Sequence, residues 1–232
     1  MSTPLELPEI EIIRRDLERD VAGRKIKNGE IASLTLLPRY KSRKAFTDSL
    51  SGQKIYSARR AGLALVLIMK NDYLVMKIGD GAFFERVAAK AKVTKGTQFT
   101  INFTQGGQLR LVDPGGNSEI CVVPSDDLFE EMPELTGLGL DPIADPIPFP
   151  SFAGAVLGCS VDLKEFLCDD EVILGVGDIY SDEILFASGL KHDRASDSLS
   201  TQEIRRLHRA LVEIIHDGLR YKGTHLEERP FN

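Results

Sequence analysis

The chain has 232 residues, of which 42% are hydrophobic and 28% charged, and its formal net charge is −6. This composition is typical of a globular chain and excludes fibrous and disordered classes. No apolar run approaches the ~20 residues that a membrane span needs, and no signal peptide follows Met1. The three cysteines form no C-x-x-C pair, which argues against a disulfide framework and a structural zinc site. We therefore expect a cytoplasmic protein without a metal or another cofactor.

The charge is divided unevenly along the chain. Residues 1–124 carry 20 basic and 13 acidic side chains, a net charge of +7, whereas residues 125–232 carry 9 and 22, a net charge of −13. The change coincides with a stretch rich in proline and glycine that begins at Pro124 and ends at Pro150. Proline at that density continues neither a helix nor a central strand. We therefore predict two domains, residues 1–124 and 151–232, joined by a linker over 125–150.

The first domain begins with a predicted helix and continues with predicted strands. The helix follows Pro8, because apolar residues from Ile10 to Val21 recur at spacings of three and four, and Gly23 ends it. Apolar, β-prone segments follow, with tight turns between them; we predict strands over 31–37, 63–69, 74–78, 98–103 and 109–112. A single helix followed by such strands indicates an antiparallel β-sandwich or barrel.

The second domain is predicted to be all-helical, with helices over 152–157, 162–167, 179–188 and 201–219. Ser200 and Glu203 form a capping-box pattern at the start of the last helix. A glycine-rich turn with Gly175 and Gly177 leads into the third helix. Backbone N–H groups at such a helix start can bind a phosphate oxygen, although most G-x-G pairs are only tight turns. The fold class is therefore predicted to be α+β.

Two segments carry a family resemblance. Residues 5–11 read LELPEIE and are similar to the N-terminal signature PELPEVE of the formamidopyrimidine-DNA glycosylase / endonuclease VIII family. Residues 175–186 read GVGDIYSDEILF and resemble the helix–two-turn–helix segment of that family, GLGNIYxDExLF. Lesser matches at 59–60 and 138–142 occur in the family's order. The resemblance implies an N-terminal helix plus β-sandwich joined to a helical domain that grips DNA.

The family chemistry implied by this resemblance depends on the N-terminus. The damaged base is flipped out of the duplex, the secondary amine of an N-terminal proline attacks the sugar C1′ to give a Schiff base, and the adjacent glutamate is the acid/base partner. Here Leu5 stands at the proline position, and its nitrogen is an amide because Pro4 precedes it. Glu6 remains at the glutamate position. It is either the one catalytic candidate or a residue of the helix approach retained by descent.

Other positions also depart from the family. Gly62 replaces a lysine, Gly79 stands where the family has a wedge methionine, and the loop 113–118 lacks the arginine and the aromatic residue that fill the vacated base stack. Asp178 replaces an asparagine, and its carboxylate would repel a phosphate. The chain stops at Asn232, where the family continues into a four-cysteine zinc finger. The candidate DNA-binding residues are Arg59, Arg60, Lys77, Gly175, Gly177, Asp178 and Tyr180.

Together these features predict a divergent, glycosylase-like protein of the base-excision repair type. We expect it to bind damaged or abasic DNA more weakly than the family does, with glycosylase/lyase chemistry lost or much reduced. One alternative is an active DNA glycosylase/AP lyase that uses the N-terminal amine or Glu6. Another is a non-catalytic protein-interaction module whose acidic helical domain docks a basic partner. Basic clusters at 39–44, 59–60 and 90–95 either bind nucleic acid or are solvated loops.

Overall fold

The computed structural model describes residues 5–223, which divide into two compact units. Unit 1 contains Leu5 and Ile10–Leu135, and unit 2 contains Glu6–Glu9 and residues 136–223. The first helix, α1 (Leu7–Val21), gives its first residues to unit 2 and the remainder to unit 1. Its start and end agree with the helix expected after Pro8. The predicted α+β class, with an N-terminal helix, antiparallel sheets and a helical C-terminal part, is confirmed.

Unit 1 contains two four-stranded antiparallel sheets. One sheet has the order β1-β6-β7-β5 and the other β2-β3-β4-β8. The strands are β1 (Ile26–Ile31), β2 (Ser57–Ala61), β3 (Ala64–Ile68), β4 (Asp72–Lys77), β5 (Phe83–Val87), β6 (Thr97–Phe103), β7 (Gln108–Val112) and β8 (Glu119–Pro124). A helix, α2 (Arg43–Leu50), lies between β1 and β2 in the chain. Side chains from both sheets, from α1 and from α2 share one apolar core.

The apolar run predicted over 63–69 is continuous because both faces of β3 are covered. Leu65 and Leu67 face the core between the sheets, and Ala64 and Val66 face a second cluster. That second cluster includes side chains from residues 125–135, the first part of the predicted linker. Two 3-10 turns and α3 (Leu128–Glu131) form there, and they pack as part of unit 1. Residues 125–135 of the predicted linker are therefore folded and belong to unit 1.

Side chains cover the backbone at both edges of the second sheet. On edge strand β2, the N–H of Ala58 donates to the carboxylate of Glu18 and its carbonyl accepts from Arg14, at 3.4 Å. On edge strand β8, the hydroxyl of Tyr40 donates to the carbonyl of Val122 and accepts from its N–H, at 3.1 and 3.0 Å. Unpaired strand edges are templates for pairing with other chains. These side chains therefore protect unit 1 against edge-to-edge association.

The prediction of a strand over 31–37 is wrong, because the strand in this region lies earlier in the chain. β1 ends at Ile31, and residues Leu34–Leu36 form a 3-10 turn whose N-cap is Ser33. Leu36 and Leu37 are buried in the main core, so the segment is apolar without being extended. The other predicted strands correspond to β3, β4, β6 and β7.

Unit 2 is helical, as predicted. Its helices are α4 (Phe149–Gly158), α5 (Leu163–Cys168), α6 (Asp178–Ser188) and α7 (Thr201–Arg220), and they enclose a separate apolar core. The predicted capping box of Ser200 and Glu203 is present at the start of α7. Gly139 is required by packing, since a Cβ there would lie 2.3 Å from the carbonyl carbon of Val172. No helix among the described residues is long and apolar enough to cross a membrane.

Candidate functional site at the start of helix α6

The carboxylate of Glu6 binds the N-terminus of α6. One oxygen accepts hydrogen bonds from the N–H of Gly177 at 2.6 Å and of Tyr180 at 3.2 Å, and the other accepts from the N–H of Ile179 at 2.9 Å. The first N–H groups of a helix have no partner within the helix, and α6 has no capping side chain of its own because its N-cap is Gly177. Glu6 is 4% exposed and serves as the cap from a distant part of the chain.

Both glycines of the turn before α6 serve contacts within unit 2. A Cβ on Gly177 would lie 2.7 Å from the carboxyl carbon of Glu6, so only glycine admits that carboxylate. Gly175 has a φ of +68°, its N–H donates to Asp170 at 2.7 Å, and its carbonyl accepts from the N–H of Leu7 at 2.9 Å. The N–H groups of both glycines are therefore bound to carboxylates of the chain itself. They are not available for the phosphate contact that the sequence predicted at this turn.

The surroundings of Glu6 act on its pKa in two directions. Burial raises the pKa of Glu6 above its ordinary value, and the three backbone N–H donors lower it. The nearby charge of Glu9 raises it further. A buried carboxyl with a raised pKa is a feature of many acid/base catalysts, and burial of a purely structural carboxyl raises its pKa in the same way.

Tyr180 is an internal anchor next to this cap. Its hydroxyl donates to Glu9 at 2.9 Å, and its side chain is buried. Burial, together with the charge of Glu9, raises the pKa of Tyr180, so the hydroxyl keeps its proton and remains a donor. A Cβ on Gly218 would lie 2.5 Å from the Tyr180 oxygen, and one on Gly223 would lie 2.5 Å from Glu9. Tyr180, a DNA-binding candidate, is thus surrounded by protein.

The exposed side of the α6 start is acidic. The side chain of Asp178 is 80% exposed, and its carboxylate lies 3.4 Å from the ammonium of Lys164. Lys164 is also 2.7 Å from Asp182 one turn later, and this hydrogen bond raises the pKa of Lys164. Two carboxylates share one ammonium group, so this surface has a net charge of −1. Such a surface disfavours a phosphate.

Of the three basic candidates in unit 1, two are engaged in ion pairs. Arg60 is largely buried, with its Nε 3.3 Å from Glu11, and it donates to the carbonyl of Gly62 at 2.8 Å. Lys77 lies 2.5 Å from Glu134, and its hydrogen bond lowers the pKa of Glu134. Arg59 is exposed and forms no ion pair with any residue of 5–223.

The remaining departures from the family pattern are also explained by local structure. Leu5 is half-buried and packs against the core of unit 1. Gly62, with a φ of +58°, forms the tight turn between β2 and β3. Gly79 lies against the loop 113–118, where a Cβ would be 2.9 Å from the backbone of Asn117. The buried carboxylate of Asp113 holds that loop closed by accepting from the N–H groups of Gly116 and Ser118, both at 2.8 Å.

Sequence reasoning missed several residues that shape this site, namely Glu9, Asp113, Lys164 and Asp170. Glu9 had a signal, since it stands one helical turn after Glu6 in the LELPEIE segment. Lys164 had none, because its carboxylate partners come from another helix. Among residues 5–223, no three His, Cys, Asp or Glu side chains are grouped so as to hold a metal ion.

Two family models match most of the chain. Residues 5–118 match the formamidopyrimidine-DNA glycosylase N-terminal domain, and residues 138–229 match the formamidopyrimidine-DNA glycosylase H2TH domain. The chain is 29% identical over 228 residues to a formamidopyrimidine-DNA glycosylase of Pelobacter propionicus, covering 96% of this chain and 82% of that relative. It is also 29% identical over 224 residues to one of Geobacillus kaustophilus, covering 94% and 80%.

Solved structures of similar fold come from Lactococcus lactis. The Fpg protein of that organism in complex with DNA containing an abasic site superposes with a TM-score of 0.85 at 22% identity, over 95% of this chain and 80% of that one. Its complex with DNA containing an N7-benzyl-Fapy-dG gives the same TM-score and identity, over 95% and 81%.

Proposed function

Because the chain belongs to the formamidopyrimidine-DNA glycosylase / endonuclease VIII family, we propose that it binds damaged or abasic DNA with lost or much reduced glycosylase/lyase chemistry. DNA as the partner is supported by the Lactococcus lactis structures of the same fold, which contain DNA with an abasic site or a modified guanine. The role is that of a non-catalytic or nearly non-catalytic component of base-excision repair.

The identity of residue 5 carries the proposed loss of chemistry. Formation of a Schiff base needs an amine with an available lone pair, and the nitrogen of Leu5 is an amide joined to Pro4. Glu6, the neighbouring acid/base candidate, has both carboxylate oxygens bound by backbone N–H groups of the α6 start. A general acid or base must reach the proton that it transfers. Glu6 therefore acts as the cap of α6, and the residue before it, Leu5, offers only an amide nitrogen.

The charges of the candidate contacts support DNA binding that is weaker than in the family. Asp178 places an exposed carboxylate where the family has an asparagine, and Lys164 is held by Asp178 and Asp182. Lys77 and Arg60 are paired with carboxylates, so a phosphate would have to compete for each of them. Binding that depends on phosphate contacts weakens with every cation that is already neutralised.

Fluorescence anisotropy of a labelled duplex with one abasic-site analogue tests the binding half of this proposal. We expect saturable binding at ~50 mM salt and a linear fall of log K with log salt, because released counterions drive the association. No binding at that salt would contradict the proposal and favour a protein-interaction module. Borohydride trapping on an abasic duplex tests the chemical half.

A further inference from the structure

The loop between β5 and β6, residues 88–96, is rich in lysine and is called the basic loop below. It contains Lys90, Lys92 and Lys95, which are all exposed and form no ion pair with any residue of 5–223. No acidic residue occurs in the sequence between Glu85 and Asp113. The basic loop therefore presents three exposed lysines that are not engaged in ion pairs within residues 5–223.

The backbone of the basic loop is fixed by a buried arginine. Arg110 on β7 is 2% exposed, and its guanidinium donates to the carbonyl of Ala91 at 2.9 Å and to that of Lys92 at 2.8 Å. Further bonds fix the second half, because the hydroxyl of Thr94 donates to the carboxylate of Glu85 at 2.8 and 3.0 Å. The lysines are thus presented from an ordered backbone, which lowers the entropic cost of binding.

Arg110 is also bound within its own strand. Its remaining donors go to the side-chain oxygen of Gln108, at 2.9 and 2.5 Å. All of these acceptors are neutral, and no carboxylate of the described residues forms an ion pair with Arg110. Its cross-strand neighbour on β5 is Glu85, whose carboxylate accepts from Thr94 of the loop. Arg110 therefore holds the loop in place, and the lysines supply the charge that an anion would meet.

We propose that the basic loop binds the phosphate backbone of a nucleic acid strand through Lys90, Lys92 and Lys95. The inference rests on the proposed DNA binding and names a contact surface for it. Lysine is a compact point charge that suits a diffuse row of phosphates, whereas bidentate recognition of single carboxylates favours arginine. Val93 lies between these lysines and is 66% exposed, which gives the sugar or base of a bound strand an apolar contact.

The test is a salt series of duplex binding by the full chain with K90Q, K92Q and K95Q combined. The matched control combines K25Q, K27Q and K54Q, which remove the same charge from exposed positions of the same unit. We expect the loop variant to lower the slope of log K against log salt by about 2 to 3, and the affinity by about tenfold or more at ~100 mM salt. The control should leave the slope within about 0.5 of the unaltered protein.

Each other outcome overturns the inference in a distinguishable way. Equal effects of the loop variant and the control would show that only net charge matters, and the proposed DNA binding would stand without the loop. Displacement of the duplex by poly-L-glutamate at equal charge concentration would identify an acidic peptide as the preferred ligand of the loop. Absence of binding by the unaltered protein would overturn the proposed function and this inference together.

Discussion

The carboxylate of Glu6 and the backbone N–H of Ile179 are separated by 173 positions in the chain and lie 2.9 Å apart. This contact joins the two segments through which the sequence resembles its family. It also gives both segments a structural role that does not depend on catalysis. Glu6 caps α6, and Gly177 is the residue that allows the carboxylate to approach.

Replacing Glu6 with alanine should destabilise the protein by about 2 to 4 kcal/mol, because three N–H groups at a buried helix start would lose their acceptor. Equilibrium unfolding in urea measures this change. Glu183→Ala is the control, since that residue is exposed on the same helix and should change stability by less than about 0.5 kcal/mol. A loss below about 0.5 kcal/mol for Glu6→Ala would refute the capping role.

Gly177→Ala should be destabilising by about 1 to 3 kcal/mol, because its Cβ would meet the Glu6 carboxyl group at 2.7 Å. Gly154→Ala in α4 is the matched control, since no atom lies within 4 Å of its new Cβ. Removing a glycine from a helix interior there should stabilise by up to about 1 kcal/mol. The same sign for both substitutions in urea unfolding would contradict the close approach of Glu6.

Asp178→Asn should increase affinity for DNA by about fivefold, or about 1 kcal/mol, the size of one exposed charge interaction. The substitution removes an exposed carboxylate and leaves Lys164 shared with Asp182 alone. Anisotropy titrations at constant salt measure it. Glu183→Gln removes one charge from the same helix and serves as the control, and an equal gain from both variants would show that the position of Asp178 is unimportant.

The capping box of α7 should give a pH-dependent contribution to stability. Hydrogen bonds from Arg194 and Ser200 lower the pKa of Glu203 from 4.5 to about 2. Because the folded pKa is depressed, the stabilising effect of Glu203 is fully present above pH 4.5 and is lost as the pH falls to about 2. The stability difference between the unaltered protein and Glu203→Gln, measured by thermal unfolding, should shrink over that range. A difference that stays constant down to pH 2 would contradict the pairing.

Much of the fold follows from local sequence patterns, and the site depends on contacts that such patterns do not contain. The helices of unit 2 were predictable because each has its own apolar period, and α7 also has the Ser200–Glu203 cap. The segment 31–37 resembles a strand in its apolar content because the 3-10 turn Leu34–Leu36 and its C-cap Leu37 bury leucines in the core. The capture of Glu6 by α6 joins residues about 170 positions apart, so no local period or propensity indicates it.

We propose that this chain binds abasic DNA without forming a covalent intermediate. One titration of a labelled abasic-site duplex tests this non-covalent binding most directly, with each sample read by anisotropy and then by denaturing gel after borohydride reduction. The Lactococcus lactis Fpg protein is run in parallel samples, and we expect it to be trapped if it follows the family chemistry. We predict that saturated binding by this chain gives no covalent band at micromolar protein. A band that grows with the bound fraction would contradict the claim and identify an active lyase.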